Sequence, residues 1–178
     1  MPGSDSITIV EVVPHDPSWK DTYQKEARRI LEVLGAELVE IHHIGSTSIP
    51  GIYAKPIIDI LGGARKIENI DMYNVAMAKI GYQAKGEFGL PGRRFFVKGV
   101  PKRTFNLHIF EAGSPGLTRH LSFRDYMIAH PEDARQYSEL KRKLAQEYKG
   151  DLDGYCDGKD AFVKEMERKA IVWAKNRT

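Results

Sequence analysis

Apolar positions along the chain change period several times, and each change predicts an element. Ile7 to Val12 reads as a strand, with Ile7, Ile9 and Val12 supplying its apolar contacts. Val13-Pro14-His15-Asp16-Pro17 must turn, because the prolines stop both a ladder and a helix interior. Trp19, Tyr23, Ala27, Ile30, Leu31 and Leu34 then recur at helical spacing, predicting a helix over 17–34 capped by Asp16 or Ser18 and closed by Gly35. Trp19 is read as its packing anchor. Glu37 to Ile44 returns to strand, and a second strand carries Asp59 among isoleucines. A period of two puts Asp59 and Leu61 on one face of it and Ile58 and Ile60 on the other. Gly62-Gly63 is expected to release the chain from the sheet.

The second half begins with a helix over 66–79, stopped by Gly81, and a short strand over 82–85. The glycine-rich stretch 86–92 is an ordinary surface connection or, alternatively, a hinged lid. Strands follow over 93–99 and 103–110. On the first, Phe95 and Val97 oppose Arg94, Phe96 and Lys98; on the second, Asn106 and His108 oppose Phe105, Leu107 and Ile109. The remainder is helical, over 117–129, 131–148 and 159–173, with Gly150, Gly154 and Gly158 punctuating the last connection. Pro131 suits a first helical turn, followed by Glu132 and Asp133. Lys141, Arg142 and Lys143 read as a hydrated face. This pattern predicts one α/β domain over 1–178, a mixed sheet with flanking helices and a helical portion over 117–178.

Composition narrows the function. In 178 residues, 42% apolar and 29% charged content suits a soluble globular protein with a sizeable core. A formal charge of +3 tolerates anionic ligands without demanding nucleic acid. Nucleic-acid binding is disfavoured, since the basic residues are dispersed and no helix-turn-helix, zinc or RNA-reading signature occurs. No long apolar run or leader-like start is present, which disfavours membrane insertion and secretion. Cys156 stands alone, so no disulfide framework exists, and a cytoplasmic setting is expected.

The chemistry concentrates between His42 and Leu61. Gly45 lets the backbone approach a ligand closely, and the amides and hydroxyls of Ser46, Thr47 and Ser48 can cradle an anion beside Lys55. The spacing is not that of a nucleoside-triphosphate P-loop. His42 and His43 fall on opposite strand faces, so they form no metal pair. A polar centre of Asp59 with His108 is expected, with Asn106 beside it and Arg93 or Arg94 addressing an anionic substrate. Arg124 either binds phosphate or clamps a carboxylate such as Asp125. Asp59 is the candidate ligand for Mg²⁺ or Mn²⁺, but Leu61 stands where a second carboxylate would complete a metal site.

The segment from His42 to Ile60 closely resembles the GrpB family. So do the Pro-Asp-Trp residues of the opening, the Asn106-Leu107-His108-Ile109-Phe110 run and Phe123-Arg124-Asp125-Tyr126. That resemblance covers nearly the whole chain. It implies a nucleotidyltransferase-like fold, in which a Gly-Ser pair follows one strand and a carboxylate pair sits on the next. Gly45-Ser46 and Asp59 match that pattern and Leu61 departs from it. It also implies a link to coenzyme A metabolism, because the family sometimes occurs fused to a dephospho-coenzyme A kinase domain. The expected function is binding of a nucleotide or other phosphorylated small molecule, with metal-assisted nucleotidyl or phosphoryl transfer where Asp59 and His108 support it. The alternative is a non-catalytic metabolite sensor or protein-interaction module.

Overall fold

Alternating apolar residues draw five segments into one sheet in the computed structural model, which describes residues 9–177. The strands are β1 (Leu38–Ile44), β2 (Ile58–Ala64), β3 (Tyr82–Ala84), β4 (Arg94–Lys98) and β5 (Phe105–Glu111), in the spatial order β1-β2-β5-β4-β3. Only the β2–β5 pair is parallel; the other three are antiparallel. The sheet is therefore mixed, as the alternation predicts.

One face of the sheet is apolar. Ile58, Ile60, Phe96, Leu107 and Ile109 pack there beneath α1 (Trp19–Leu34), a 3₁₀ stretch over Ile67–Tyr73 and the short α2 (Asn74–Lys79). A continuous helix over 66–79 is thus corrected to a 3₁₀ segment followed by six α-helical residues. At the head of α1, the Asp16 carboxylate accepts the Ser18 N–H at 2.8 Å, holding the turn that both prolines shape.

The other face carries Leu61 and Phe110, which pack against Leu117 and Leu121 of α3 (Pro115–Ala129). Helices α4 (Pro131–Glu147) and α5 (Leu152–Lys175) complete this layer with α3, around Tyr126, Met127, Ala134, Tyr137, Met166 and Ala170. Ile49 and Ile52, from the irregular link between β1 and β2, insert into the same helical cluster. The Tyr53 N–H donates to Ser138 Oγ at 2.9 Å. The link that carries the polar turn is thereby fastened to the helices, which hold it over the sheet's polar face.

Three expectations change. Ile7 lies outside the described residues, and residues 9–12 join no strand. Instead Val10 is buried with Leu144 and Tyr155, its N–H donates to the Lys149 carbonyl, and Val13 makes an isolated bridge to Ala54. Burial against α4 and α5 overrides the local strand preference. Gly62-Gly63 does not end β2 but lies within it. A Cβ on Gly63 would come 2.5 Å from Glu40 Cγ, and one on Gly62 would come 2.8 Å from Leu38 Cδ1. These glycines are space for β1 side chains, not chain breakers. Likewise Gly154 and Gly158 lie inside α5, which begins at Leu152 with the Asp151 carboxylate accepting the Gly154 N–H. A Cβ there would meet the Tyr148 ring at 2.5 Å or Leu144 at 2.6 Å, so the glycines admit close helix packing rather than a loop.

The same device brings α3 onto β5. A Cβ on Gly116 would lie 2.5 Å from Cδ1 of Phe110, a ring that is itself buried. Gly116→Ala gains helix propensity of about 1 kcal/mol but must displace that ring, at a cost of roughly 1–3 kcal/mol. The expected outcome is a lower urea midpoint with an unchanged m-value. A midpoint equal to or above wild type would show that α3 can slide without penalty.

Candidate anion site

The turn after β1 is built around Gly45, at φ +72°, followed by the 3₁₀ residues Ser46–Ser48. The Ser48 N–H and hydroxyl both close back on the Gly45 carbonyl, at 3.1 and 2.6 Å. Gly45 is required twice over: its φ is left-handed, and a Cβ would sit 2.6 Å from Asp59 Oδ2. The turn therefore lies directly against the Asp59 carboxylate.

Strand register assembles the rest. Asp59 of β2 pairs with Asn106 of β5, Leu61 pairs with His108, and His108 in turn pairs with Phe95 of β4. Asp59 Oδ1 accepts from Asn106 Nδ2 at 3.2 Å and faces His108 Nε2 at 3.3 Å. His108 Nδ1 lies 3.4 Å from Arg93 Nη1. A guanidinium can only donate, so His108 accepts at Nδ1 and its Nε2–H donates to Asp59. Burial pushes the Asp59 carboxyl upward, but the hydrogen bonds from His108 and Asn106, with the charge of Lys55, outweigh it and hold its pKa below the usual value. Asp59 is thus an ionised group with Oδ1 occupied and Oδ2 turned toward Gly45.

Opposite this centre is a cavity of about 250 Å³ lined by Gly45, Ser46, Thr47, Lys55, Asp59 and Asn106, and by Tyr137, Lys141, Tyr155 and Lys159 from α4 and α5. Tyr137 reaches across to the Ser46 hydroxyl. Lys55 and Lys159 lie over the Tyr155 ring at 5.5 and 4.9 Å, and Lys141 over Tyr137 at 4.4 Å. Lys141 is only 1% exposed and its Nζ has no hydrogen-bond partner among the described residues. Burial, then the charges of Lys159 and Lys55, push its pKa down to about 7. Burial also lowers Lys55, aided by Lys159, and lowers Lys159 itself. Three cations therefore face one carboxylate in a small, partly enclosed space. Reading 141–143 as a hydrated face is corrected for Lys141: it lies on the same α4 stripe as Tyr137 and Leu144, at i−4 and i+3, a helical phase that the sequence displayed.

The structure thus brings together Gly45, Ser46, Thr47, Lys55, Asp59 and Asn106, with His108 directly behind Asp59. It places the others elsewhere. Arg93 donates to the Glu87 and Phe88 carbonyls as well as to His108, tying the 86–92 loop to the centre. Arg94 is engaged through two nitrogens by Asp71. Arg124 clamps Asp125 at 2.8 Å and the His43 carbonyl at 3.2 Å. Ser48 and Arg124 line a separate cleft with Tyr23 and His43, on another side of the turn. Of the two histidines on β1, His42 pairs with Glu40 and His43 with the Thr47 hydroxyl, both at 2.8 Å. The acids Glu87 and Glu111 are engaged with the Gly92 and Ile67 N–H groups.

The donor set around Asp59 bears on whether Mg²⁺ or Mn²⁺ fits there. Among the described residues no three His, Cys, Asp or Glu side chains converge as a metal cluster. Asp59 offers one free oxygen, the neighbouring strand position is the buried Leu61, and three lysines share the cavity. Those residues do not make a resident divalent-metal site by themselves.

Two half-buried imidazoles add an acid-sensitive element. Burial first, then nearby positive groups, pushes His120 down to about 3; burial likewise takes His43 to about 4. Both are neutral in the fold, whereas the unfolded chain protonates them near 6.5. The unfolded state then binds more protons between those limits, so stability must fall as pH drops from about 6.5 toward 4. His120 Nε2 is buried beside Phe110 and His108 and has no hydrogen-bond partner among the described residues. In His120→Phe the loss of melting temperature over that interval should be smaller than in wild type. Equal losses in the two proteins would exclude His120 as a source of the acid sensitivity.

Comparison with known proteins now places the chain. The family described as GrpB protein matches residues 9–169. The UPF0157 protein YqkA of Bacillus subtilis is 44% identical over 168 residues, which are 94% of this chain and 49% of that protein, so the chain spans about half of its length. A crystal structure of conserved protein GrpB from Enterococcus faecalis superposes with a TM-score of 0.89 at 39% identity, covering 92% of this chain and 99% of that one. A dephospho-CoA kinase of Mycolicibacterium paratuberculosis is 28% identical over 190 residues, 93% of this chain and 47% of the kinase. With nearly its whole described length matched, in sequence and in fold, the chain belongs to the GrpB family.

Proposed function

We propose that the cavity between the Ser46 turn and α4–α5 binds the phosphate end of a small molecule, with a nucleotide as the ligand class. The observation that carries this reading is the set of three lysines, Lys55, Lys141 and Lys159, facing a Gly-Ser turn with a single carboxylate among them. Phosphate oxygens accept from ammoniums and from hydroxyls at Ser46 and Thr47, and a low-dielectric setting strengthens each such contact. The Gly-Ser turn followed by Asp59 on the next strand is the nucleotidyltransferase-like arrangement that the family resemblance implies. The dephospho-CoA kinase relatives make coenzyme A precursors part of the ligand panel.

Transfer chemistry would fall to Asp59. Its Oδ2 could orient a hydroxyl acceptor or take its proton, while Asn106 and His108 fix the carboxylate through Oδ1. Asp59, together with a ligand's own phosphate oxygens, would be the group to hold any Mg²⁺ or Mn²⁺, which would supply charge neutralisation on the phosphate. One observation favours the second reading, a non-catalytic sensor: Leu61, fully buried, occupies the position where a transferase would carry its second acid. The setting we propose is cytoplasmic; among the described residues no helix is long and apolar enough to cross a membrane.

Isothermal titration with nucleoside di- and triphosphates and coenzyme A precursors, with and without Mg²⁺ or Mn²⁺, tests the reading. Saturable binding should weaken about ten- to a hundredfold in Lys159→Met, the loss of one charge-assisted contact. Asp59→Asn should retain binding and abolish any product formation. Binding that is unaffected in Lys55→Met and Lys159→Met alike would move the ligand out of this cavity. An absence of binding across the panel would return the turn to a structural role.

A further inference from the structure

The cavity holds more positive charge than the fold compensates. Lys141 projects from α4 and is faced by Tyr137 of its own helix, by Tyr155 and Lys159 of α5, and by Lys55 of the segment before β2. Asp59, across the cavity on β2, already accepts from Asn106 and His108. Among the described residues no carboxylate, carbonyl or hydroxyl accepts a hydrogen bond from Lys141 Nζ, and the residue is sealed from solvent. An ammonium deprived of water and of an anion is strongly disfavoured, and two like charges nearby add to that cost.

We infer that the cavity selects a doubly charged oxyanion, a terminal phosphate rather than a phosphodiester, and that Lys141 takes up a proton as the anion enters. The inference rests on the phosphate-binding reading above and specifies it. With all three lysines protonated, their charge exceeds that of Asp59 by two, which a dianion balances and a monoanionic diester does not. The empty cavity relieves the excess by leaving Lys141 largely as the free amine above neutrality, consistent with its depressed pKa near 7. An entering dianion supplies both the opposite charge and the missing acceptor, so the ammonium becomes the favoured form. Linkage makes the effect reciprocal: whatever the anion adds to proton affinity, the proton adds to anion affinity. A buried amine near its titration point thus acts as a discriminator of ligand charge.

The test is carbon-13 NMR of the lysine Cε positions in the full chain, with inorganic sulfate as the probe. Sulfate is a dianion with no proton of its own to exchange near neutrality. One lysine should titrate near pH 7 in the free protein, and its signal should be missing in Lys141→Met. If that variant does not fold, Lys55→Met and Lys159→Met assign the remaining signals by elimination. Saturating sulfate should raise the Lys141 midpoint by about one pH unit or more, a tenfold gain in proton affinity. Sulfate affinity should correspondingly fall, by up to about tenfold per pH unit, above the free midpoint. Dimethyl phosphate, a monoanion, should leave the midpoint unmoved. The inference is overturned if every lysine titrates in the ordinary range, or if sulfate shifts the Lys55 and Lys159 signals while Lys141 stays fixed. In either case nucleotide binding by titration calorimetry would still stand. If neither sulfate nor any nucleotide shifts a lysine signal, the phosphate-binding reading fails with it.

Discussion

A lysine amine buried without an anionic partner constrains everything around it. Lys141 is enclosed by α4, α5 and the link before β2, and the same surroundings that exclude water also hold Lys55 and Lys159 nearby. Folding could have avoided this cost with an apolar residue, which packs as well and needs no partner. The tyrosine rings beneath the lysines soften the penalty, since each presents its electron-rich face. They do not remove it, because a ring offers no full charge and no strong acceptor. Such a cavity stores a preference for an anion, in the way that preorganised donors in other binding sites keep their reorganisation cost low.

The opposite wall is arranged to keep Asp59 from discharging that preference. Asn106 and His108 direct their donors to Oδ1, and Arg93 fixes which nitrogen of His108 can donate. Gly45 presses on Oδ2 from the turn, leaving no room for a side chain there. The carboxylate is consequently held on the sheet instead of swinging toward the lysines. Distance between fixed charges, rather than an ion pair, is what leaves space for a ligand. This depends on the β2–β5 register, since a one-residue slip would send Asp59 to the apolar face.

How much of this was legible in the sequence varies with the range of the interaction. The faces of β2, β4 and β5 follow from a period of two, whereas the meeting of Asp59 with Asn106 and His108 was expected only with the family resemblance, because periodicity does not say that β2 lies beside β5. The Gly45–Thr47 turn and Lys55 were legible because all lie within one stretch flanked by isoleucines. Lys141 and Lys159 were not, because their role depends on how α4 and α5 dock more than eighty residues later in the chain. The glycines at 62, 63, 154 and 158 misled for a related reason. A glycine that breaks an element and one that admits a neighbour look alike until the neighbour is known. The arginines differ: Arg94 is held by Asp71, and Arg124 takes the second of its two expected roles by clamping Asp125, and a guanidinium already paired has little to offer a ligand.

Leu61 bears on what the site can do once an anion is bound. Its side chain shares the Asp59 face but packs with Ile44, Phe110, Leu117 and Leu121, so it is part of the cluster that holds α3 against the sheet. Replacing it with an acid would place a carboxylate in an apolar layer, not merely add a metal ligand. The departure from a two-carboxylate pattern is therefore built into the packing of α3. Chemistry at this centre must rest on one carboxylate oxygen and on the lysines that stabilise phosphate charge. Lysines stabilise negative charge on a ground-state phosphate and on a transition state alike, and only the difference between the two accelerates a reaction. Uniform stabilisation of that kind serves retention of a ligand as well as it serves transfer, so Asp59 Oδ2 is the group on which any distinction between sensor and enzyme turns.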